Sequence, residues 1–273
     1  MSHIPENVKK KYQSMEKSSK SPIEHECEVM NSIPGKLTGY DCKECLNRGN
    51  KYFVAGDYIV SRECDCMKIR RCQRNIEKSG LKELLNRCTF ENFRTNEPWQ
   101  KALKEKALQF LAEYKSKWFY VSGQVGGGKT HICTAISGKL LKSGIPVRYM
   151  LWRNESTKIK SVVNDKDEYE RLLNPLRTTP VLYIDDFLKT NDGVDTRTGE
   201  RYKKSPTSAD LSVAWAIINY RYINSNLTTI ISSERSIDDV IDCDEAVGSR
   251  IRERSKGYCP YISIDKSKNY RLR

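Results

Sequence analysis

At 273 residues the chain is long enough for one full α/β domain and a smaller module, but not for two large domains. Its 48 Lys and Arg against 35 Asp and Glu give a formal charge of +13, which suits contact with nucleic acid or another acidic partner. No apolar run approaches the length that crosses a bilayer, and the start Met1-Ser2-His3-Ile4-Pro5-Glu6 lacks the apolar core of a secretion signal, so a cytoplasmic protein with no membrane attachment is expected.

The first forty residues are polar and lysine-rich, punctuated by Pro5, Pro22, Pro34 and Gly35, and read as one helix or a partly disordered arm. Cys42-Lys43-Glu44-Cys45 and Cys64-Asp65-Cys66 follow, with eighteen residues between them that include the strand-like runs Lys51-Tyr52-Phe53-Val54 and Tyr58-Ile59-Val60. Two close pairs at turns or hairpin ends can bring four thiolates into the tetrahedron that Zn²⁺ prefers. In a segment too small to bury much core, the metal would supply the folding free energy. Cys42, Cys45, Cys64 and Cys66 are therefore the expected zinc ligands, with a redox-active pair or unrelated thiols as the alternative. The second pair has one intervening residue where two is usual, and His25, Cys27, Cys72 and Cys88 lie near enough to substitute. Cys133, Cys243 and Cys259 read as small packing residues. The module spans about residues 37–70, and the basic stretch 67–74 leads into a helical segment broken at Gly80.

After Thr89-Phe90-Glu91-Asn92-Phe93 and Pro98, a periodic helix is predicted over 99–114, then the strand Trp118-Phe119-Tyr120-Val121. It runs directly into Gly123-Gln124-Val125-Gly126-Gly127-Gly128-Lys129-Thr130, a phosphate-binding loop written out in full and followed by His131 and an amphipathic helix. Such a loop turns successive N–H groups around a triphosphate, Lys129 can reach the β and γ phosphates, and the Thr130 hydroxyl can ligate Mg²⁺. The helix beginning near Lys129 adds the positive end of its dipole to the same anion site. A bare glycine-rich turn is the competing reading.

Gly144 ends that helix, residues 146–151 read as the next strand, and a charged helical region is expected over about 158–173. Pro180-Val181-Leu182-Tyr183-Ile184-Asp185-Asp186-Phe187 is a buried-type strand ending in two acids, where Asp185 can hold Mg²⁺ and Asp186 can orient or deprotonate the attacking water. Residues 189–206, with Asn191-Asp192-Gly193 and Thr198-Gly199, read as a loop or short hairpin. A helix over 208–224 precedes the strand Leu227-Thr228-Thr229-Ile230-Ile231-Ser232-Ser233, whose serines can sense the γ-phosphate or merely cap the segment starting at Ser236. Glu245-Ala246-Val247-Gly248-Ser249-Arg250-Ile251-Arg252-Glu253-Arg254 is a helix with Arg250 and Arg254 one turn apart on one face, able to reach a neighbouring subunit's γ-phosphate or simply to face solvent. Strands alternating with helices indicate an α/β doubly wound parallel sheet.

Together these residues resemble the bacterial helicase loaders of the DnaC/DnaI type, including versions carried by phages and mobile elements, within the AAA+ ATPases. The resemblance covers roughly residues 40–273 and rests on the phosphate loop, Asp185-Asp186, Ile218-Asn219-Tyr220-Arg221, Ile230-Ile231-Ser232-Ser233-Glu234-Arg235, and Gly248-Ser249-Arg250-Ile251 with Arg254. It implies an AAA+ P-loop core without a helical lid over 89–273, which binds ATP and single-stranded DNA and self-associates. It also implies an N-terminal region, 1–88, that grips the hexameric replicative helicase. By the same resemblance Ser233 is the first sensor, the arginine finger is Arg250 or Arg254, and Phe90 and Phe93 lie against the adenine. The 189–206 loop is longer than the family pattern. Competing functions are an ATPase helper of DNA transposition, which shares this ATPase domain, and a nucleotide-regulated DNA-binding module with little hydrolysis.

Overall fold

The computed structural model describes residues 20–78, 82–194, 197–198 and 201–272. Residues 1–19 of the arm or helix predicted over the first forty, the break at Gly80 and Gly199 lie outside these residues. By compactness the chain divides into residues 1–70 and 71–273.

In the first unit, helix Pro22–Ser32 begins at a reciprocal cap in which the Ser21 hydroxyl accepts the Glu24 N–H and the Glu24 carboxylate accepts the Ser21 N–H, satisfying two donors that the helix cannot. Its other end is held by Arg48, which donates to the Met30 and Ile33 carbonyls at 2.7 Å each. Strands β1 (Asn50–Ala55) and β2 (Tyr58–Glu63) form an antiparallel hairpin. Helix Cys66–Lys78 begins immediately after it. Among the described residues of this unit, the buried apolar side chains are Cys27, Cys42, Cys45, Cys64, Cys66 and Ile69.

The second unit is built on β3 (Trp118–Gly123), β4 (Val147–Leu151) and β5 (Val181–Asp185), with a short antiparallel hairpin β6 (Asp192–Val194) and β7 (Arg201–Lys203), then β8 (Thr228–Ser232) and β9 (Tyr261–Ile262). Five of these form one parallel sheet in the order β4-β5-β8-β3-β9. Successive residues of a strand face opposite sides of a sheet. Phe119, Val121, Tyr183 and Ile230 accordingly pack with helices Pro98–Ala112 and Lys129–Lys142, while Trp118, Tyr120, Ile184 and Ile231 pack with helices Trp152–Ser161, Lys166–Thr178, Ser208–Ile223 and Glu245–Arg254. Two apolar cores thus sandwich the sheet, which is the doubly wound arrangement expected. After Arg254 the described chain holds β9 and two 3₁₀ turns, with no helical bundle among the described residues.

Three local outcomes differ from the sequence reading. The charged region expected as one helix over 158–173 is two helices, because Asp165 starts a new one by accepting the Glu168 N–H at 3.0 Å. The segment after Arg71 belongs to the larger unit, where Cys72, Leu84 and Leu85 join a core, so the compact division falls ahead of the 88/89 division drawn from sequence. Strand β9, which no pattern announced, adds a sheet edge beside the phosphate loop.

Arg221, from the Ile-Asn-Tyr-Arg segment, is fully buried and donates to the carbonyls of Leu176, Arg177 and Thr179 at the end of helix Lys166–Thr178 and to Thr228 O and Thr229 Oγ1 of β8. One guanidinium satisfies the orphan carbonyls of a helix end and locks that end to the sheet. Burial pulls its pKa down to about 9, with the charge of Arg254 adding to the effect.

Candidate nucleotide and metal sites

The phosphate loop leaves the carboxyl end of β3 and turns into helix Lys129–Lys142. Two of its glycines are required by geometry. A Cβ at Gly123 (φ +104°) would sit 1.9 Å from the Ile262 carbonyl oxygen of β9, and one at Gly126 (φ +71°) would sit 1.9 Å from Asn269 Oδ1. Lys129 Nζ lies over the loop, donating to the Gly123 and Gln124 carbonyls at 2.8 Å each.

Sheet order brings the acids to this loop. Because β8 lies between β3 and β5, its polar end separates the loop from Asp185-Asp186. Thr130 Oγ1 donates to Asp185 Oδ1 at 3.1 Å, and Tyr149 OH donates to Asp185 Oδ2 at 3.2 Å. Burial, reinforced by the Asp185 charge, raises the Tyr149 pKa and keeps its hydroxyl a donor. Ser232 Oγ donates to Asp185 Oδ1 and accepts the Asp186 N–H at 3.1 Å, so one hydroxyl holds both acids. Ser233, to which the resemblance gave the sensor role, points to the other side of the strand and donates to Phe187 O at 2.9 Å.

Asp186 adopts φ +55°, turning its carboxylate to Lys189. Lys189 Nζ lies 3.0 Å from Asp186 Oδ2 and 2.8 Å from Glu234 Oε1. Burial opposes its charge, but hydrogen bonds to Glu234 and Asp186 outweigh that and hold its pKa above the usual lysine value. Neither Lys189 nor Glu234 was singled out from sequence, although a cation three residues after an acidic pair is a readable signal.

Lys129, Thr130, Asp186, Lys189 and Glu234 line one polar cavity of about 180 Å³. An adjoining cavity of about 230 Å³ is walled by Phe93, Arg94 and Tyr270. Phe93 meets the His131 ring edge-on at 5.2 Å, and His131 Nε2 donates to Thr89 O at 2.9 Å, with burial lowering the His131 pKa. Phe90, expected beside Phe93, lies outside that lining; both rings are buried in the same apolar core, and of the two only Phe93 also reaches the cavity.

Of the two arginines, Arg254 donates to Ser225 O at 2.7 Å and lies over the Trp118 ring. Arg250 stacks on Trp215 and Tyr222, 4.5 and 5.2 Å from their ring centres.

In the first unit, Cys42, Cys45, Cys64 and Cys66 converge with all four sulfurs within 4.8 Å of one another. The Cys42–Cys64 and Cys45–Cys66 separations are 3.8 and 3.5 Å. Zn–S bonds of about 2.3 Å in a tetrahedron space sulfurs by about 3.8 Å, so the set fits that ion. The short Cys-x-Cys spacing works because Cys66 opens a helix and Cys64 ends the hairpin. Burial opposes ionisation of Cys45, but the Gly49 N–H, 3.4 Å from its sulfur, and the neighbouring thiols bring its pKa to about 6. Cys72 packs in the larger unit's core, and among the described residues no other group of three or more metal-binding side chains converges.

The chain is 30% identical over 233 residues to the phage-like element PBSX protein XkdC of Bacillus subtilis, spanning 82% of each chain. It is 32% identical over 131 residues to the replicative helicase loader DnaC of Escherichia coli, a match covering 47% of this chain and about half (52%) of DnaC. The chain belongs to the DnaC/DnaI-type helicase-loader family. No family model matches the chain. The crystal structure of the DnaC helicase loader shares the fold, with a TM-score of 0.54 at 20% identity over 67% of this chain and 99% of that one. Among the described residues, no helix of this family member is long and apolar enough to cross a membrane.

Proposed function

We propose that this chain is an ATP-dependent loader of a hexameric replicative helicase, with residues 71–273 as the ATPase unit and residues 1–70 as the helicase grip. The observation that carries the reading is the Thr130–Asp185 hydrogen bond at 3.1 Å, with Ser232 holding Asp185 and Asp186 together beside the phosphate loop. That arrangement suits a nucleoside triphosphate with Mg²⁺. Lys129 binds the β and γ phosphates, while Thr130 and Asp185 hold the metal. Bound Mg²⁺ supplies neutralisation of the phosphate charge. Asp186 orients the attacking water and accepts its proton, and Lys189 fixes the direction of that carboxylate. The hydrolysis acts as a switch between holding and releasing the helicase.

In the grip, Cys42, Cys45, Cys64 and Cys66 hold Zn²⁺, which supplies the rigidity that a core of cysteines and one isoleucine lacks. Self-association of the ATPase would present an arginine to a neighbour's γ-phosphate. Arg250 and Arg254 are both candidates: Arg254 donates to Ser225 O and Leu227 O, and Arg250 donates to Ala246 O within its own helix. The net positive charge supports contact with single-stranded DNA.

The test is a pull-down of the purified chain against the hexameric helicase of its host, with ATP, ADP and no nucleotide. Nucleotide-sensitive capture is expected. Absence of capture in every state would transfer the reading to an ATPase helper of transposition.

A further inference from the structure

β9 and the segment after it carry no motif, yet they are bonded to the phosphate loop at three points. Gln124 N–H donates to Ile262 O at 3.0 Å, Asp265 N–H donates to Gln124 Oε1 at 2.9 Å, and Tyr270 N–H donates to Gly126 O at 3.2 Å. The approach is so close that Asn269 occupies the space a side chain at position 126 would need. A loop that must wrap a triphosphate has therefore one flank covered by a second backbone, which fixes the loop's shape before any ligand arrives.

Two side chains of this strap reach the cavities described above. Tyr270 lines the 230 Å³ cavity, packed near Trp99 (6.2 Å between ring centres) and beneath Arg94. Arg271 lines the 180 Å³ polar cavity with Lys129, Thr130 and Asp186. The cavities share Gly126, Gly128 and His131, so they form two ends of one elongated site. An aromatic end and a cationic end, joined across a phosphate loop, match the base and the triphosphate of a nucleotide.

We propose that residues 263–271 are a cis strap of the nucleotide site, in which Arg271 contacts the terminal phosphate and Tyr270 forms a wall for the base. The inference rests on the nucleotide reading above and deepens it. A guanidinium presents paired donors matched to phosphate oxygens, so Arg271 discriminates triphosphate from diphosphate by a charge-assisted contact that only the former offers. Tyr270 contributes equally to both, because the base is common to them.

The test is equilibrium titration of the full chain with N-methylanthraniloyl-labelled ATP and ADP in the presence of Mg²⁺. Arg271→Ala is expected to weaken ATP by about tenfold or more while changing ADP by less than about threefold, Arg271→Lys to fall between, and Tyr270→Ala to weaken both alike. Lys129→Ala is the control, expected to weaken ATP by about 100-fold or more. An unchanged ATP-to-ADP ratio in Arg271→Ala, with Lys129→Ala weakened, overturns the strap and leaves the nucleotide reading standing. No binding by the unsubstituted chain overturns both. Should Arg271→Ala fail to fold, Arg271→Gln and Arg271→Lys report the same ratio.

Discussion

The two compact units are held together by opposite means. The larger buries Trp118, Tyr120, Phe119, Tyr183 and their neighbours on both faces of a five-stranded sheet. The smaller closes over four cysteines, and buried polar ties, among them Arg48 on a helix end and Arg70 on the Thr38 and Tyr40 carbonyls, hold its described backbone. A core gathered from many residues degrades gradually under substitution, whereas a core gathered around one ion is present or absent. The chain therefore contains one fold written in hydrophobic pattern and one written in ligand spacing.

Four changes should break that contrast or sharpen it. Stripping metal with a chelator should unfold the first unit outright, since structural zinc contributes on the order of 10 kcal/mol to such modules. All four tryptophans lie in the larger unit, so Co²⁺-thiolate absorbance should vanish while Trp emission stays constant; a shared collapse would dissolve the distinction. Arg221→Ala should do the reverse, removing the five hydrogen bonds to Leu176, Arg177, Thr179, Thr228 and Thr229 and lowering the stability of the larger unit by about 3 kcal/mol or more, read as an earlier Trp-monitored melt with the cobalt spectrum intact. Lys129→Ala should leave both folds standing and weaken ATP by about 100-fold or more, measured by calorimetric titration; wild-type affinity would remove the loop from the nucleotide site. Asp186→Asn should retain ATP and slow single-turnover hydrolysis by about 100-fold, and undiminished turnover would strike Asp186 from the chemistry.

What was readable in the sequence was local. The phosphate loop, the acidic pair and the cysteine pairs each fall within a few residues, so spacing alone announced them. Which of Ser232 and Ser233 meets Asp185 could not be read that way, because it depends on which side of β8 each hydroxyl faces once β8 pairs with β5. The strap was invisible for a related reason: Tyr270 and Gly126 are 144 positions apart, and a backbone hydrogen bond leaves no trace in side-chain pattern. The break before Lys166 was legible in Asn164-Asp165, a helix-start signal outweighed by the charge pattern around it. Phe90 and Phe93 share a residue type, a turn and a core, and only packing brings the Phe93 ring to the cavity.

The hairpin of β6 and β7 has a further consequence. Arg235 donates to Leu188 O and to Lys204 O, and Thr190 Oγ1 donates to Lys204 O at 2.6 Å, so the two ends of the 189–206 excursion are stapled together immediately beyond Asp186. Loop length is thereby decoupled from the chemistry. A single residue gained at the staple would shift Lys189 off its carboxylates.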